Sequence, residues 1–303
     1  MTDKVKVSMG IPAYNEEANI KQLLESLLNQ TQENWELLEI IVVSDKSSDR
    51  TVEKIREVNN EKIRLIENEV RIGQALSQNK ILKLFSGDIL ILLNADIMPS
   101  GILFVEKIIS PFSESDIIGI VSPDSVPLKA STFFEKVINY SVDYKKEMFK
   151  SLNQGNNLFM CVGAARAFNG SMIRKMEWPT SLSEDAYSYL FCINSNYKFV
   201  YFPSASIYYK SPDNLEDHLK QSTRFLNGPS IMEKYFPKDL VKNNYYIPLF
   251  IKIKSSLHFL VLNPVFFLFY IGVLAISKIK SNTRNNSKDL WSTSTSSKTL
   301  IIK

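Results

Sequence analysis

Short apolar runs rich in Val, Ile and Leu recur along the first hundred residues, and stretches with helical spacing separate them. The runs cover residues 4–12, 39–45, 62–67 and 88–94. Nearly continuous hydrophobicity over so few residues is typical of strands buried on both faces of a parallel sheet. Because strands alternate with helices, the pattern predicts βαβ units and an α/β fold, with a mainly parallel central sheet flanked by helices.

The clearest helical pattern follows the first apolar run. Asn15 stands where it could cap the start of this helix, with Glu16 and Glu17 in the first turn. Further helices are predicted to begin near Ser48 and directly after Gly73. Five apolar residues share one face of the first helix: Ile20, Leu23, Leu24, Leu27 and Leu28.

The second half of the chain is less regular. Residues 117–122 and 198–209 have the composition of strands, and residues 132–150 and 215–235 have helical patterns. A stretch rich in Gly and Asn, 154–170, separates them. We expect these elements to complete the same sheet.

The composition changes to Leu, Phe, Ile and Val between residues 245 and 280. Residues 257–277 contain no Asp, Glu, Lys or Arg over about 21 residues, the length that a membrane-spanning helix needs. Asn263 and Pro264 interrupt this run, and lysines flank it on both sides, so the positive-inside rule gives no single orientation. The pattern predicts a broken, re-entrant or interfacial hairpin. The alternative is a buried C-terminal helix. The flanking lysines are Lys252, Lys254, Lys278 and Lys280.

Composition and charge narrow the function classes. The chain has 303 residues, 45% of them hydrophobic, which is enough for a sizeable core. Its net charge of +4 divides into about +5 after residue 277 and about −1 before it. A basic tail suits an anionic membrane surface or is simply a solvated end, and nucleic-acid binding is not favoured.

Two further features indicate the compartment. Cys161 and Cys192 lie far apart without metal-ligand spacing, which predicts buried thiols in a reducing compartment. Residues 1–6 are polar and lack the apolar core of a signal peptide, so the globular part is expected in the cytoplasm.

Acidic and amide residues follow several of the predicted strands. Asp45 and Asp49 come after the second apolar run, and Asn94 and Asp96 after the fourth. In an open α/β sheet, ligands bind in the crevice outside the carboxyl ends of the strands. The sequence therefore predicts one ligand site at this edge. Taken alone, Asp96 could equally be a turn residue, and Asp49 is better explained as part of the next helix start.

Four segments in the same order closely resemble the family 2 glycosyltransferases. They are 11–16 (IPAYNE), 42–51 (VVSDKSSDRT), 71–75 (RIGQA) and 92–96 (LLNAD). The resemblance runs from about residue 5 to 224 and implies a GT-A fold. With the apolar segment, it divides the chain into four parts. Residues 1–100 would form the nucleotide-sugar-binding half and residues 101–244 the acceptor-binding half. Residues 245–280 would form a membrane-associated helical segment, and residues 281–303 a basic, flexible tail.

The resemblance also implies roles for residues of the first half. Asp45 would bond the edge of the nucleobase, Arg71 would face the phosphates, and Asp96 would hold a Mg or Mn cation on the diphosphate. A divalent cation with oxygen ligands is well suited to neutralising the leaving diphosphate. The implied nucleotide-sugar-binding residues are Pro12, Ala13, Tyr14, Glu16, Asp45, Arg71, Gly73, Asn94 and Asp96.

In the second half, Glu184 and Asp185 match the family's Glu-Asp motif, in which the aspartate is the general base. The dipole at a helix N-terminus would keep such a carboxylate ionised; by spacing alone, the pair is an ordinary acidic first turn. Gln221 and Arg224 match the family's QxxRW pattern, in which Arg224 would stabilise the departing diphosphate. The alternative explanation is that Arg224 is an ordinary surface arginine. Gly163 belongs to a small-residue segment that borders the acceptor pocket in the family.

Several residues depart from the family pattern. Asn94 replaces the first carboxylate of a DxD motif, which keeps hydrogen bonding but loses a charge and predicts weaker metal binding. The other departures are Ser44 for aspartate, Lys46 for glycine, Gln74 for a frequent lysine, and Phe225 for tryptophan.

The resemblance, together with the apolar segment, thus predicts a membrane-associated inverting glycosyltransferase on the cytoplasmic side of the cell membrane. It would move a sugar from a nucleoside-diphosphate sugar to a lipid-linked or glycan acceptor. One alternative is a non-catalytic relative that binds nucleotide or glycan, motivated by the departures. Another is a sugar-phosphate nucleotidyltransferase, which should carry a glycine-rich basic loop where this chain has residues 12–17.

Overall fold

An eight-stranded sheet forms the centre of the protein. The structure is a computed structural model, and it describes residues 4–180, 184–219, 228–283 and 300. The strand order is β3-β2-β1-β4-β7-β6-β8-β5. The strands are β1 Val5–Ala13, β2 Trp35–Ser44, β3 Ile63–Glu67, β4 Ile89–Leu93, β5 Ile97–Pro99, β6 Ile118–Pro127, β7 Ala165–Asn169 and β8 Lys198–Tyr209.

Helices cover both faces of this sheet, and three short 3₁₀ turns, Ser110–Ser113, Asn153–Gly155 and Leu158–Met160, lie among them. Residues 215–219 are helical as well. The other helices are α1 Ile20–Leu28, α2 Thr51–Glu57, α3 Gln74–Leu82, α4 Phe104–Ile109, α5 Phe133–Lys150, α6 Gly170–Ile173, α7 Glu184–Asn194, α8 Gly228–Met232, α9 Lys238–Tyr245, α10 Leu249–Leu262 and α11 Pro264–Thr283.

The strand directions confirm the predicted mainly parallel sheet. β3, β2, β1 and β4 are parallel neighbours, and β6 pairs in parallel with β8. Two strands are reversed, because β7 is antiparallel to β4 and β6, and β5 is antiparallel to β8. β7 was not predicted, and it lies inside the stretch rich in Gly and Asn. Its sequence, ARAFN, lacks the β-branched residues that favour strands.

Two hydrophobic clusters, one on each face of the sheet, make up the core. Ile40 and Val42 of β2 belong to the first cluster, and Ile41 and Val43 belong to the second. Successive side chains of a strand point to opposite faces, so β2 is buried on both sides, as its continuous apolar run predicts. The first cluster includes the predicted apolar face of α1, and the second includes Ile81 of α3 and Leu190 of α7.

The starts of the first two helices differ from the prediction. α1 begins at Ile20 after Asn19, so Asn15 does not cap it. Asn15 instead has a φ of 53° and its Oδ1 accepts the N–H of Ser48 at 2.8 Å. α2 begins at Thr51 rather than near Ser48. The left-handed backbone at Asn15 turns the chain between strand and helix, a tolerance that asparagine shares with few residues.

The other predicted boundaries hold to within a few residues. α3 begins directly after Gly73, and β8 covers residues 198–209 as predicted. Of the predicted helix 215–235, residues 215–219 and 228–232 are helical, residues 233–235 form a turn instead, and residues 220–227 lie outside the described part of the chain. In the predicted tail, Leu300 is described: it is buried, and its N–H donates to Asn19 Oδ1 at 3.0 Å.

The C-terminal apolar segment forms two helices, which confirms the predicted break. α10 ends at Leu262 and α11 begins at Pro264, with Asn263 Oδ1 accepting the N–H of Phe266 at 3.1 Å. Both helices pack on α5 through aromatic contacts. The alternative of a buried helix is wrong, because Val261 is 81% exposed. Among the described residues, one segment, Lys238–Leu262, is long and apolar enough to cross a membrane by length and composition alone, although residues 246–248 within it are not helical.

A capping box starts α5, the helix that carries this segment. Thr132 Oγ1 accepts the N–H of Glu135 at 3.1 Å, and Glu135 Oε2 accepts the N–H of Thr132 at 2.9 Å. Burial acts to raise the pKa of Glu135, but hydrogen bonds from Ser131 and Thr132 outweigh it, and the pKa lies below its ordinary value. The carboxylate that completes the box is therefore ionised at neutral pH.

We expect Thr132→Ala to lower the free energy of unfolding by about 1 kcal/mol, because it removes the oxygen that accepts the Glu135 N–H. Thr132→Ser keeps that oxygen and should stay within a few tenths of a kcal/mol of the wild type. Urea unfolding monitored by circular dichroism measures both. Equal stability of the two variants would show that the box does not stabilise α5.

Candidate functional site

The loops after β1 and β2 are tied together at the carboxyl edge of the sheet. The parallel pairing of these strands ends with Ala13 opposite Ser44. Beyond it, the N–H of Glu16 donates to Thr51 Oγ1 at 2.7 Å and the N–H of Glu17 donates to Asp49 Oδ2 at 3.1 Å. Asp49 Oδ1 also accepts the N–H of Thr51, so this carboxylate supports the loops and the start of α2. Pro12, Ala13, Tyr14 and Glu16 all lie on this edge.

Asp45 holds the loop that precedes α3. Its carboxylate is buried and accepts the N–H groups of Ile72 and Gly73, each at 2.8 Å, and Nδ2 of Asn68 at 2.8 Å. Gly73 has a φ of 91°, a conformation that glycine adopts readily. An ionised carboxylate has about four lone-pair sites, so three bonds leave one for a ligand.

Tyr14 and Arg71 connect this loop to the first one. The guanidinium carbon of Arg71 lies 3.9 Å from the centroid of the Tyr14 ring, a cation–π stack. Both side chains are half-buried. The stack joins the loop after β1 to the loop before α3, and the two residues form one wall of the crevice.

Asn94 and Asp96 follow β4 at the centre of the same edge. Nε2 of Gln74 donates to Asn94 Oδ1 at 3.1 Å, so two residues that depart from the family pattern contact each other. The N–H of Asn94 donates to the carbonyl of Ala164 at 2.9 Å. Asp96 is half-buried in the turn between β4 and β5.

Asp185 lies on the first turn of α7, next to the segment that contacts Asn94. A Cβ placed on Gly163 would be 3.7 Å from Asp185 Oδ2. Since Gly163 precedes Ala164, the acidic residue of α7 and the amide after β4 are joined through two adjacent residues. Asp185 Oδ1 also accepts the N–H of Ala186 at 2.7 Å, as expected for an acidic residue in a first helical turn.

These contacts connect the predicted site residues into one series. It runs from Asp45 through Gly73 and Gln74 to Asn94, and from there through Ala164 and Gly163 to Asp185. The loops of the two halves therefore meet in the described part of the chain, while the roles of these residues in one ligand site stay a prediction. Gln221 and Arg224 lie outside the described residues.

Arg166 is a positioning residue that the sequence analysis did not single out. It is fully buried, and its Nη1 donates to the carbonyl of Glu184 at 3.0 Å and to Ser188 Oγ at 2.8 Å. Trp178 Nε1 donates to the same carbonyl at 3.1 Å. Together they fix the start of α7 and hence Asp185. No local pattern marks this arginine, because the strand that carries it, β7, has no strand signal of its own.

Tyr245 of α9 was missed as well. Burial raises the pKa of its phenol, and the nearby Asp185 carboxylate raises it further. A cavity of about 450 Å³ lies beside it, lined by Pro229, Glu233, Lys242 and Tyr246 among others. No sequence pattern marks this position, because only the packing of α9 brings it close to α7.

Both cysteines are buried, as predicted. Burial raises the pKa of Cys161 to about 12, and burial raises the pKa of Cys192 too. The Sγ of Cys161 lies 3.7 Å from the carbonyl oxygen of Asp185. These thiols are therefore protonated and unreactive at neutral pH.

The described residues contain no group of three or more His, Cys, Asp or Glu side chains that could hold a metal ion. The available oxygen ligands at the centre of the crevice are the carboxylate of Asp96 and the amide oxygen of Asn94. Mg²⁺ is commonly bound through one or two carboxylates together with substrate phosphates. The donor set thus fits a cation that is bound together with a diphosphate.

Comparison with known proteins supports the resemblance. The family model described as glycosyl transferase family 2 matches residues 8–176, more than half of the chain. The UDP-Glc:alpha-D-GlcNAc-diphosphoundecaprenol beta-1,3-glucosyltransferase WfgD of Escherichia coli is 40% identical over 31% of this chain and 36% of its own length. The probable glycosyltransferase YdaM of Bacillus subtilis is 27% identical over 75% of this chain and 56% of its own length.

These matches span only about a third to a half of the two relatives. A solved structure with a similar fold covers more of the chain. The mannosyltransferase PcManGT from Pyrobaculum calidifontis, in complex with GDP-Man and Mn²⁺, aligns with a TM-score of 0.64 at 16% identity, over 94% of this chain and 77% of that one. At that identity the likeness establishes the fold, which is of the GT-A type.

Asp45→Asn tests the hydrogen bonds that hold residues 68–73. An amide nitrogen would face a backbone N–H, so we expect the free energy of unfolding to fall by about 1.5–3 kcal/mol. The exposed Asp116→Asn is the matched control and should change it by less than about 0.5 kcal/mol. Urea unfolding gives both values, and hydrogen exchange of the peptide containing Ile72 and Gly73 should accelerate in Asp45→Asn alone. Unchanged exchange there would contradict the assignment.

Proposed function

The chain belongs to glycosyl transferase family 2, and on this premise we propose that it is an inverting glycosyltransferase that moves a sugar from a nucleoside-diphosphate sugar to a lipid-linked acceptor. The observation that carries the proposal is the connected series from Asp45 through Asn94 to Asp185. It supports the proposal because Asp45, Asn94 and Asp185, which would contact the nucleotide, the diphosphate and the acceptor, lie along one run of neighbouring residues.

The donor would lie along the carboxyl edge of β1, β2 and β4. Asp45 would use its remaining lone pair on the nucleobase while its other bonds keep the Gly73 loop in place. The stacked Tyr14 and Arg71 would border the base and the phosphates. The relatives act on, or are bound to, different nucleotides: WfgD is named for UDP-Glc, and PcManGT is bound to GDP-Man.

A divalent cation would be held by Asp96 and by the donor's diphosphate. When bound, it would neutralise negative charge on the leaving diphosphate. Asn94 would contribute an amide oxygen where the family has a carboxylate, so the protein supplies less charge of its own. Arg224, outside the described residues, is proposed to assist the departure of the diphosphate.

Asp185 would accept the proton of the attacking hydroxyl. In the first turn of α7, Asp185 Oδ1 accepts the N–H of Ala186, and Arg166 with Trp178 holds that turn in place. Attack from the side opposite the diphosphate inverts the anomeric carbon in one displacement. If the acceptor is a phosphate, no base is needed, and Asp185 would instead position it. Glu184, Gln221 and Gly163 would border the acceptor or the diphosphate.

A lipid-linked acceptor is proposed because two strongly apolar helices lie on the same domain. The exposed side chains of α10 and α11 give the protein a lipid-compatible surface. The acceptor in WfgD's name, a GlcNAc-diphosphoundecaprenol, is of this class. The proposed location is the cytoplasmic side of the cell membrane.

The non-catalytic alternative is weakened by the contact between Gln74 and Asn94. These two departures share one hydrogen bond, so they are a matched pair rather than two separate losses. An amide pair replaces what would be a lysine and an aspartate, so one positive and one negative charge are lost together. The family match leaves no support for the nucleotidyltransferase alternative.

Asp185→Asn should separate turnover from binding. We expect transfer to fall about 10²–10⁴-fold, because the acceptor hydroxyl loses its proton acceptor, while the affinity for the nucleotide changes less than about twofold. The assay screens UDP-, GDP- and dTDP-sugars with Mn²⁺ or Mg²⁺, with and without polyprenyl phosphate and polyprenyl-diphosphate-linked sugars. Asp116→Asn is the control. A wild type that binds nucleotide but turns over no donor would favour the non-catalytic reading.

The donor set predicts that cation and nucleotide bind together. Mn²⁺ titrated alone, followed by its electron paramagnetic resonance signal, should bind much more weakly than Mn²⁺ with the donor's nucleoside diphosphate. Asn94→Asp adds one negative charge to the oxygen ligands. A unit charge and a divalent cation about 4 Å apart in water attract by about 2 kcal/mol, so Mn²⁺ affinity should rise about thirtyfold. Nucleotide binding in EDTA is the control. Tight Mn²⁺ binding without nucleotide would contradict the assignment.

A further inference from the structure

The C-terminal helices expose apolar side chains on the surface that faces away from the domain. We call this surface the apolar face. Its most exposed members include Val261 at 81% and Leu268 at 63%. Phe133 of α5, half exposed, extends it through edge contacts with Phe266 and Phe269. The apolar face comprises Leu257, Val261, Leu262, Leu268, Phe269 and Leu274.

One narrow stripe of each helix is buried against the domain. On α10, the buried residues are Ile251, Ser255 and Phe259, spaced four apart. Tyr144 of α5 contacts Phe259 and Tyr270, and its hydroxyl lies 3.0 Å from Ser256 Oγ. The helices are therefore anchored on α5, and the side that would face water in a soluble protein is the apolar one.

Neither helix has an uncharged apolar part long enough to cross a bilayer, although α11 as a whole has 20 residues. α10 has 14 residues, about 21 Å, whereas the hydrocarbon core is about 30 Å thick. The stretch 238–262 is not one continuous helix, because residues 246–248 are not helical. In α11 the apolar part from Pro264 ends at Ser277, before Lys278, which makes it no longer than α10. The uncharged run 257–277 is divided at Asn263.

Charged groups lie against the middle of both helices. His258 Nε2 of α10 is 3.5 Å from Glu147 Oε2, and Lys145 Nζ is 5.7 Å from the centroid of the Tyr270 ring. Lys252 and Lys254 are exposed within α10 itself. A spanning arrangement would take these charges into hydrocarbon, which is costly. An arrangement in the membrane plane leaves them at headgroup level.

We propose that α10 and α11 lie in the plane of an anionic bilayer, with the apolar face in the acyl boundary and Lys252, Lys254, Lys278 and Lys280 near the lipid headgroups. Charge complementarity identifies the occupant, since these exposed lysines accompany an apolar surface in the way that interfacial helices combine the two. The proposal deepens the proposed function and rests on it only for the lipid-linked acceptor. The crevice would then be held at the membrane surface by α5.

Vesicle flotation of the full chain tests the surface. The probes are vesicles of phosphatidylcholine alone and of phosphatidylcholine with about 30% phosphatidylglycerol, a mixture that supplies the anionic charge. We expect binding to the anionic vesicles, and Val261→Asp/Leu268→Asp to reduce the bound fraction at least about tenfold. Ile102→Asp, at a position 60% exposed outside these helices, is the matched control and should bind like the wild type. Lys252→Glu/Lys254→Glu should remove the preference for anionic lipid.

Measuring how deep single positions sit in the bilayer distinguishes helices that lie in the membrane plane from helices that span it. A fluorophore is attached in turn to Leu257→Cys, Val261→Cys, Leu268→Cys and Leu274→Cys, and quenching by lipids brominated at shallow or deep acyl positions is compared. The native cysteines are buried and should not react. In-plane helices give the same shallow depth at all four positions. Depth that changes steadily along a helix would overturn the proposal in favour of a span.

The failure of this proposal can be told apart from failure of the proposed function. Donor binding and transfer to a short-chain, water-soluble acceptor are measured in the Val261→Asp/Leu268→Asp variant. Loss of vesicle binding with both activities retained supports the surface assignment. A wild type that does not bind vesicles but forms a dimer, which the same substitutions dissociate, would overturn the membrane proposal and assign the face to a second copy, with the glycosyl-transfer assay unaffected.

Discussion

Parallel strands bring their carboxyl ends to the same edge of a sheet, and the candidate site depends on this constraint. β1, β2 and β4 are neighbours, so the loops that follow them meet without any long connection. Asp45 then fixes the position of the loop before α3, because its buried carboxylate accepts the N–H groups of Ile72 and Gly73. Without that carboxylate, the loop before α3 would keep two buried donors to satisfy elsewhere, and the wall formed by Tyr14 and Arg71 would lose its support.

The second half reaches the same site through a reversed strand. β7 pairs antiparallel with β4, so residues just before β7 lie next to those just after β4. The bond from the Asn94 N–H to the Ala164 carbonyl is a direct result, and the preceding residue, Gly163, lies beside the side chain of Asp185. Arg166, inside the same strand, donates to the carbonyl of Glu184 and so fixes the first turn of α7. One short strand thus couples the proposed donor and acceptor sides.

α5 connects the sheet to the apolar helices. On its side towards the sheet, Lys146 forms an ion pair with β6: its Nζ lies 2.9 Å from Asp124 Oδ1. Its other face carries Tyr140 and Tyr144 against α10 and α11. Since both faces are engaged, a membrane contact made by α10 and α11 would fix the distance and direction of the crevice from the lipid surface.

The sequence by itself determined the α/β class, the parallel first half, the break at Asn263 and the set of polar residues at strand ends. Local patterns are enough for these, because buried strands, helix faces and proline each leave a signal within a few neighbouring residues. Only the tertiary structure decided the rest. Strand β7 lacks a local signal, Asn15 bonds a loop far along the chain rather than capping its own helix, and Arg166 and Tyr245 approach Asp185 only through packing. Such contacts join residues distant in sequence, and no short-range pattern encodes the pairing of strands and helices that brings them together.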